Sequence, residues 1–437
     1  MANIVTKFGG SSLADAGQLK KVKEIIESNP ERRYVVASAP GKRFDEDIKV
    51  TDMLYNFHQA VFFGEPYDEI FDEIKRRFVE MKEQLGLNVD IEKHIDDMKQ
   101  HILNGASRDY VASRGEYLNS ILIADYLGFT FVDAAEIVCF DSQGIYDNNA
   151  TMHKVRKRLK EVKRAVIPGF YGSMPDGSIK TFSRGGSDIS GAIIAGALSA
   201  DLYENWTDVS GFLMADPRIV KDANKIDVIT YRELRELSYM GATVLHEDAI
   251  FPVFQAAIPI NVRNTNDPEN SGTMILPTVE EEGEHEITGI AGKKNFTVIS
   301  IEKNGMNKEL GFGRRVLSVL EKFGVSFEHM PSGIDTLCIV VEDTALSDNL
   351  NDIIDEIHDA CEPDSVVVHD NMALIATVGR GMIHNVGIAA KLFGALAGQS
   401  VNIRMIDQGS SEINIIVGVE NDDFERAVQA IYNAFER

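Results

Sequence analysis

Ile4-Val5-Thr6-Lys7-Phe8-Gly9-Gly10-Ser11-Ser12 is the stretch that decides the architecture. An apolar strand carries a lysine near its end and runs into two glycines and two hydroxyls, and a helical pattern follows from Leu19 to Ser28. Glycine lets backbone N–H groups approach an anion closely, and a helix start adds partial positive charge. Lys7 at the strand end would set an ammonium beside such an anion. The tract is not a Walker A loop: Gly41-Lys42 lacks a glycine five residues earlier and is followed by Arg43.

Working outward, short apolar runs alternate with helical stretches. Tyr34 to Ser38, Phe131 to Ala134 and Arg164 to Phe170 read as buried strands, so the first part is α/β with a mainly parallel sheet. Met53 to Asn104 is long, charged and helical in period, and reads as a solvated helical excursion. An acidic, turn-rich stretch, Val279 to Glu284, reads as a linker. Beyond it, Asn295–Lys303, Val325–Met330, Thr336–Glu342 and Ser365–His369 read as strands, with helices at Gly311–Phe323 and Leu346–Ala360. This is a βαββαβ unit. The order restarts with a strand at Met372–Val378, a helix at Asn385–Ala397, strands at Val401–Asp407 and Glu412–Val419, and a helix at Asp422–Phe435. This second copy lacks a final strand, and Glu286–Ala291 is the spare segment that can donate it. The expected division is a catalytic domain at 1–280 with its excursion near 53–105, an inserted regulatory domain at 293–370, and a second one from 285–292 plus 371–437.

The 437 residues exceed one ordinary core, so two or three domains are expected. With 44 basic against 68 acidic residues the net charge is −24, which argues against nucleic acid or an anionic membrane surface as partner. Cys139, Cys338 and Cys361 lie far apart without metal-ligand spacing, so no protein metal site is expected, and a reduced compartment is. The chain shows no basic-then-apolar leader and no run of 18 apolar residues, so a soluble, cytoplasmic protein is expected.

Three further tracts carry chemistry. In Thr181-Phe182-Ser183-Arg184-Gly185-Gly186-Ser187-Asp188, Arg184 offers a two-pronged donor for a carboxylate, and Asp188 near a helix start could organise a cation or the bound substrate. Glu116, in Ser113-Arg114-Gly115-Glu116, is an odd choice at an apolar helix start unless it pairs with a cation such as an α-ammonium. In Asn205-Trp206-Thr207-Asp208 with Asp216-Pro217-Arg218, a strand end followed by a turn could grip a nucleotide's ribose and phosphates. Each tract also has a bland reading, as an inert turn or a helix-dipole acid.

Taken together, in order and over essentially the whole length, these tracts resemble the aspartate kinase family of the amino acid kinase superfamily, of the monofunctional lysine-sensitive type. The GATVLH tract at Gly241 to His246 and the C-terminal repeats, which look like tandem ACT domains, complete the likeness. The resemblance implies an αβα sandwich followed by two ferredoxin-like ACT domains. It implies phosphorylation of the aspartate β-carboxylate by ATP with Mg²⁺, the first step of lysine, threonine and methionine biosynthesis. Lys7, Phe8, Gly9, Gly10 and Ser11 would line the phosphates. Thr207, Asp208, Leu213, Arg218 and Thr243 would meet the nucleotide, Thr51, Glu116 and Arg184 would hold aspartate, and Lys7, Arg184 and Asp188 would surround the reaction centre. Many relatives have lysine where Thr243 stands and tyrosine where Leu213 stands, which shifts phosphate charge onto Lys7 and Arg218.

For regulation the resemblance implies an amino-acid effector, lysine foremost or threonine, bound by Met306, Glu309, Gly311, Phe312, Gly313, Ser326, Phe327 and Glu328. It also implies a homodimer or a dimer of dimers. Gly311-Phe312-Gly313 is half a dinucleotide fingerprint, but Val316 occupies the third glycine position. The rivals are a kinase for another acidic amino acid and a catalytically impaired amino-acid sensor.

Overall fold

The computed structural model describes residues 3–183, 185–242, 245, 247–279, 285–346 and 349–436, with backbone alone at 247–250. The chain divides into two compact units. The first comprises Met1–Phe212, Lys225–Tyr231 and Thr243–Val279; the second comprises Leu213–Asn224, Arg232–Ala242 and Glu280–Arg437. The stretches 213–224 and 232–242 therefore group with the C-terminal part rather than with the residues around them.

The first unit is built on an eight-stranded sheet. Its strand order is Val228–Thr230, Thr273–Leu276, Ile260–Asn264, Leu202–Thr207, Ile4–Phe8, Arg32–Ala37, Ala165–Pro168 and Thr130–Phe131. Every neighbouring pair is parallel except Ile260–Asn264 with Thr273–Leu276. The apolar runs follow from this, because a parallel sheet covered on both faces leaves no polar side: all five residues of Ile4–Phe8 are buried. A buried ion pair, Arg32 Nε to Glu204 Oε2 at 2.8 Å, ties the two strands flanking Ile4–Phe8. Glu204 also accepts from Trp206 Nε1 at 2.9 Å, and the Trp206 ring stacks on Phe8.

The helical excursion resolves into Val50–Phe63, Asp68–Leu85 and Ile91–Leu103, which share a core with the long helix Arg108–Leu127. Phe57, Phe71, Ile74, Phe78, Ile95 and Ile102 bury a stripe at helical spacing while the charged faces stay out. Phe131 to Ala134 is not one strand: Thr130–Phe131 pairs with the sheet, and Asp133 then caps a short helix, Ala134–Ile137, its side chain accepting from Ala135 N.

The second unit carries a five-stranded antiparallel sheet in the order Thr336–Glu342, Gly289–Glu302, Ser365–Val378, Asn414–Glu420 and Met405–Asp407. Two strands of 14 residues, Gly289–Glu302 and Ser365–Val378, pair along their whole lengths and run through both copies of the repeat. Gly289–Lys294 lies against Ala373–Val378 of the second copy, and Phe296–Glu302 lies against Thr336–Glu342 of the first. Where the copies meet, Asn295 and Asn371 take left-handed backbone, a conformation asparagine tolerates better than most residues, and the Asn421 side chain donates to both.

Two expected strands are shorter. Within Val325–Met330 only His329 bridges, to Val340, with Glu328 N donating to Val340 O; within Val401–Asp407 only Met405–Asp407 pairs. Both stretches lie at sheet margins, where a strand-like pattern has one neighbour or none to hold it. Among the described residues no helix is long and apolar enough to cross a membrane.

Candidate active site

The parallel strand Ile4–Phe8 delivers Lys7 to the carboxyl end of the sheet beside Asn205, its register partner on Leu202–Thr207. Lys7 is buried, with Nζ 2.6 Å from Asp188 Oδ1 and 3.4 Å from Asn205 Oδ1. Asn205 Nδ2 in turn donates to Asp188 Oδ1 at 3.0 Å, closing a triangle. Asp188 comes from the first turn of the helix Gly186–Leu198, which begins after Gly185 in left-handed conformation. Gly186 has no room for a side chain, since a Cβ there would stand 2.2 Å from the Phe170 ring. An ammonium has three N–H donors, and these two acceptors use two of them.

The glycine turn is shaped by backbone. Gly9 N–H donates to Trp206 O and Ser12 N–H to Gly9 O, and among the described residues the Gly10 and Ser11 amides have no protein acceptor. Gly41 N–H donates to Gly10 O at 2.8 Å, and a Cβ on Gly41 would stand 2.6 Å from the Gly10 carbonyl carbon. Ser12 and Thr265 share a buried hydroxyl hydrogen bond of 2.8 Å. Thr207 and Asp208 lie at the end of the neighbouring strand, with Thr207 Oγ1 donating to Asp208 Oδ1 at 3.2 Å.

Glu116 sits in the middle of the helix Arg108–Leu127 rather than at a helix start, so dipole compensation does not explain it. Gly115 brings that helix onto the loop after Arg32–Ala37: a Cβ there would lie 2.7 Å from Ala39 Cβ. Glu116 is 6% exposed, the Ala39 backbone N–H favours its charged form, and among the described residues its buried Oε2 has no hydrogen-bond partner. Burial raises its carboxyl to about 8, only partly opposed by the backbone donors and by Arg114. Arg114 is otherwise occupied, with its guanidinium 4.4 Å from the ring centres of both Tyr110 and Tyr117. Thr51, half-buried, is in the first turn of the helix whose Val50 and Leu54 face Gly115.

Arg184 and Thr243 fall outside the described residues. Beside Ser183 a cleft of about 470 Å³ is lined by Tyr55, Arg108, Asp109, Phe170 and Lys180 among others. Leu213, 40% exposed, and Arg218 belong to the second unit. The Arg218 guanidinium already pairs with Asp216, Nη2 to Oδ2 at 2.6 Å, so much of its charge is met within its own turn.

Of the effector residues, Met306 lies in a short 3-10 turn, Gly311 is in left-handed conformation, and Phe312 and Gly313 open the helix Phe312–Lys322. Glu309 is engaged by Lys303 at 2.8 Å and by Arg315. Ser326 and Phe327 are exposed, and among the described residues the half-buried Glu328 carboxylate has no ion-pair partner.

Sequence reading missed Asn205, Ala39 and Gly41. Only Asn205 carried a signal, as a polar residue inside an otherwise buried strand.

A mainly parallel sheet with an ammonium and a glycine turn at its carboxyl edge, joined in sequence to a βαββαβ repeat, has the make-up of a small-molecule kinase with a regulatory module. The amino acid kinase family profile matches residues 3–264, and an ACT domain profile matches residues 375–435. Aspartokinase 3 of Bacillus subtilis is 39% identical, over 99% of this chain and 98% of that protein. The crystal structure of Clostridium acetobutylicum aspartate kinase superposes with a TM-score of 0.90 at 56% identity, covering 100% of both chains. Escherichia coli aspartokinase III in complex with aspartate and ADP, in its R-state, gives 0.75 at 26% identity over 99% of both chains. Its T-state complex with lysine and aspartate gives 0.74 at 26% identity over 100% of both chains. The chain belongs to the amino acid kinase family and, within it, to the aspartokinases.

Proposed function

We propose that this enzyme transfers the γ-phosphoryl group of ATP to the β-carboxylate of L-aspartate, giving ADP and 4-phospho-L-aspartate. The observation that carries the reading is the Lys7 ammonium, held by Asp188 and Asn205 next to the unused Gly10 and Ser11 amides. A β-carboxylate is ionised at neutral pH and needs no general base. Its oxygen attacks the γ-phosphorus, the new P–O bond forms as the bond to the β–γ bridging oxygen breaks, and ADP leaves with that electron pair; no proton moves. Phosphoryl transfer then depends on positioning and charge neutralisation. Lys7 and the glycine amides supply both at the transferring group, Thr207 and Asp208 meet the nucleotide, and Phe8 backs the turn.

The nucleotide enters as its Mg²⁺ complex. Asp188, beside Lys7, and Asp208, just past the strand Leu202–Thr207, would offer it carboxylate oxygens, and among the described residues no cluster of three or more His, Cys, Asp or Glu could hold a metal ion unaided. Thr51, Glu116 and Arg184 hold aspartate. The buried, unpartnered Oε2 of Glu116 suits the α-ammonium, and the arginine fork suits a carboxylate.

The same reading assigns 1–280 to catalysis and two ACT domains, 293–370 and 285–292 plus 371–437, to feedback by an amino acid in a homodimer or dimer of dimers. Lysine is the effector we favour. Glu328 offers an open carboxylate for an ε-ammonium, and the Escherichia coli relative was crystallised with lysine. Biosynthesis of lysine, threonine and methionine is the pathway this product enters.

An ADP-release assay run separately with aspartate, glutamate and N-acetylglutamate tests the reaction. Turnover with aspartate alone is expected, and turnover that prefers another acceptor would overturn it. Titration with lysine and threonine, singly and together, tests the effector; no response to either would remove the regulatory assignment.

A further inference from the structure

We propose that Arg77, from the helix Asp68–Leu85 of the helical excursion, is a positioning residue for the phosphate-binding glycine turn. The inference rests on the nucleotide reading above. The helix is otherwise an ordinary amphipathic one, with Phe71, Ile74, Phe78 and Met81 inward, yet the same buried face carries a guanidinium that is 2% exposed. That group reaches out of its own helix to four acceptors. Nη2 donates to Gly41 O at 2.9 Å and to Ala14 O at 3.2 Å. Nη1 donates to Asp47 Oδ2 at 3.0 Å and to Ile48 O at 3.3 Å.

These acceptors are not scattered. Ala14 caps the end of the turn Gly10–Leu13, which starts at the second glycine, and Gly41 is the residue whose N–H fixes Gly10 O. Asp47 folds the intervening loop by accepting from Arg43 N and from the Arg43 side chain. One planar cation therefore joins the segment after the first strand, which carries the open Gly10 and Ser11 amides, to the segment after the second. Lysine cannot reproduce this, because a single ammonium cannot span two pairs of acceptors in a fixed plane. The excursion is thus a buttress that sets the spacing of the phosphate loop, while its charged outer faces remain solvent faces.

The test uses the full-length enzyme with Arg77→Lys and Arg77→Ala, and calorimetric Kd values for a non-hydrolysable ATP analogue, for adenosine and for aspartate. A displaced glycine turn loses phosphate contacts first. The analogue's Kd is therefore expected to weaken by about 10–100-fold, the scale on which small misplacements act. Adenosine, which carries no phosphate, should stay within about twofold, and the aspartate Kd should weaken less than the analogue's. Millimolar guanidinium should restore analogue binding to Arg77→Ala. If both variants melt lower but bind the analogue like the unaltered enzyme, Arg77 is a structural residue and the proposal is wrong. If Arg77→Ala does not fold, Arg77→Lys alone decides through the same three Kd values. Failure of the underlying kinase reading shows separately, as absence of aspartate-dependent ADP release from the unaltered enzyme.

Discussion

Titrating aspartate affinity against pH probes Glu116 directly. In the ligand-free protein burial holds its carboxyl near 8, against 4.5 for an exposed glutamate, so at pH 7 about nine in ten molecules carry it neutral. An α-ammonium placed against the unpartnered Oε2 reverses that preference, and binding must expel the proton. The cost of ionising the group is about 1.4 kcal/mol per pH unit below 8, hence about 1.4 kcal/mol at pH 7 and about 2.7 kcal/mol at pH 6. The aspartate Kd should therefore tighten about tenfold from pH 6 to pH 7, continue more gently through pH 8, and level near pH 9.

Calorimetry in buffers of different ionisation enthalpy should count about 0.9 proton released per aspartate at pH 7, falling toward zero above pH 9. Glu116→Gln should abolish both the slope and the release and weaken binding at pH 8. The same shift bears on folding with a definite sign. The native state holds more protons than the unfolded chain between about 4.5 and 8, so this group's contribution favours the ligand-free fold at low pH and is lost as pH rises through that window. A pH-independent Kd between 6 and 8 with no proton release would refute the placement of the ammonium at Glu116.

Asp188→Asn removes the anion that holds Lys7 while keeping the shape, so kcat should fall by about 10²-fold with little change in melting temperature, measured by steady-state assay and calorimetry. Gly41→Ala drives a methyl group into the Gly10 carbonyl; nucleotide affinity should drop before aspartate affinity, as separate Kd measurements would show. In the second unit, Arg380 pairs with the fully buried Glu233 at 3.0 Å, and Thr288 donates to the same carboxylate. Arg380→Ala withdraws one guanidinium from a fully buried carboxylate and should lower stability in denaturant unfolding of this unit by about 3 kcal/mol.

The parallel core was legible because strands covered on both faces must be apolar runs, and Ile4–Phe8 and Arg32–Ala37 stand within two residues of where periodicity put them. The spare segment before the first repeat was also legible, since a βαββαβ count that comes out one strand short requires a donor. Glu116 was singled out correctly as chemically odd but misplaced at a helix start. Its helix has apolar and small residues on every side, so period alone does not reveal where it begins. Val325–Met330 carries a strand-like pattern that tertiary context leaves largely unpaired. Arg218 was expected at the nucleotide, and the pattern Asp-Pro-Arg gave no sign that Asp216 would also pair with its guanidinium. Gly41 and Ala39 act through backbone approach, which a linear sequence does not display, while Asn205, visible only as a polar residue within a strand, is brought to Lys7 by register. Arg77 was hidden for the same reason, among the many charges of an outwardly polar helix.

The most direct measurement is steady-state turnover of Lys7→Ala with saturating ATP and aspartate, alongside its aspartate Kd. Removing this ammonium strips the transferring group of the protein's cation and leaves Asp188 with Asn205 alone, so kcat should fall by about 10³-fold while the aspartate Kd stays within about twofold. Turnover near that of the unaltered enzyme would contradict the account at its centre.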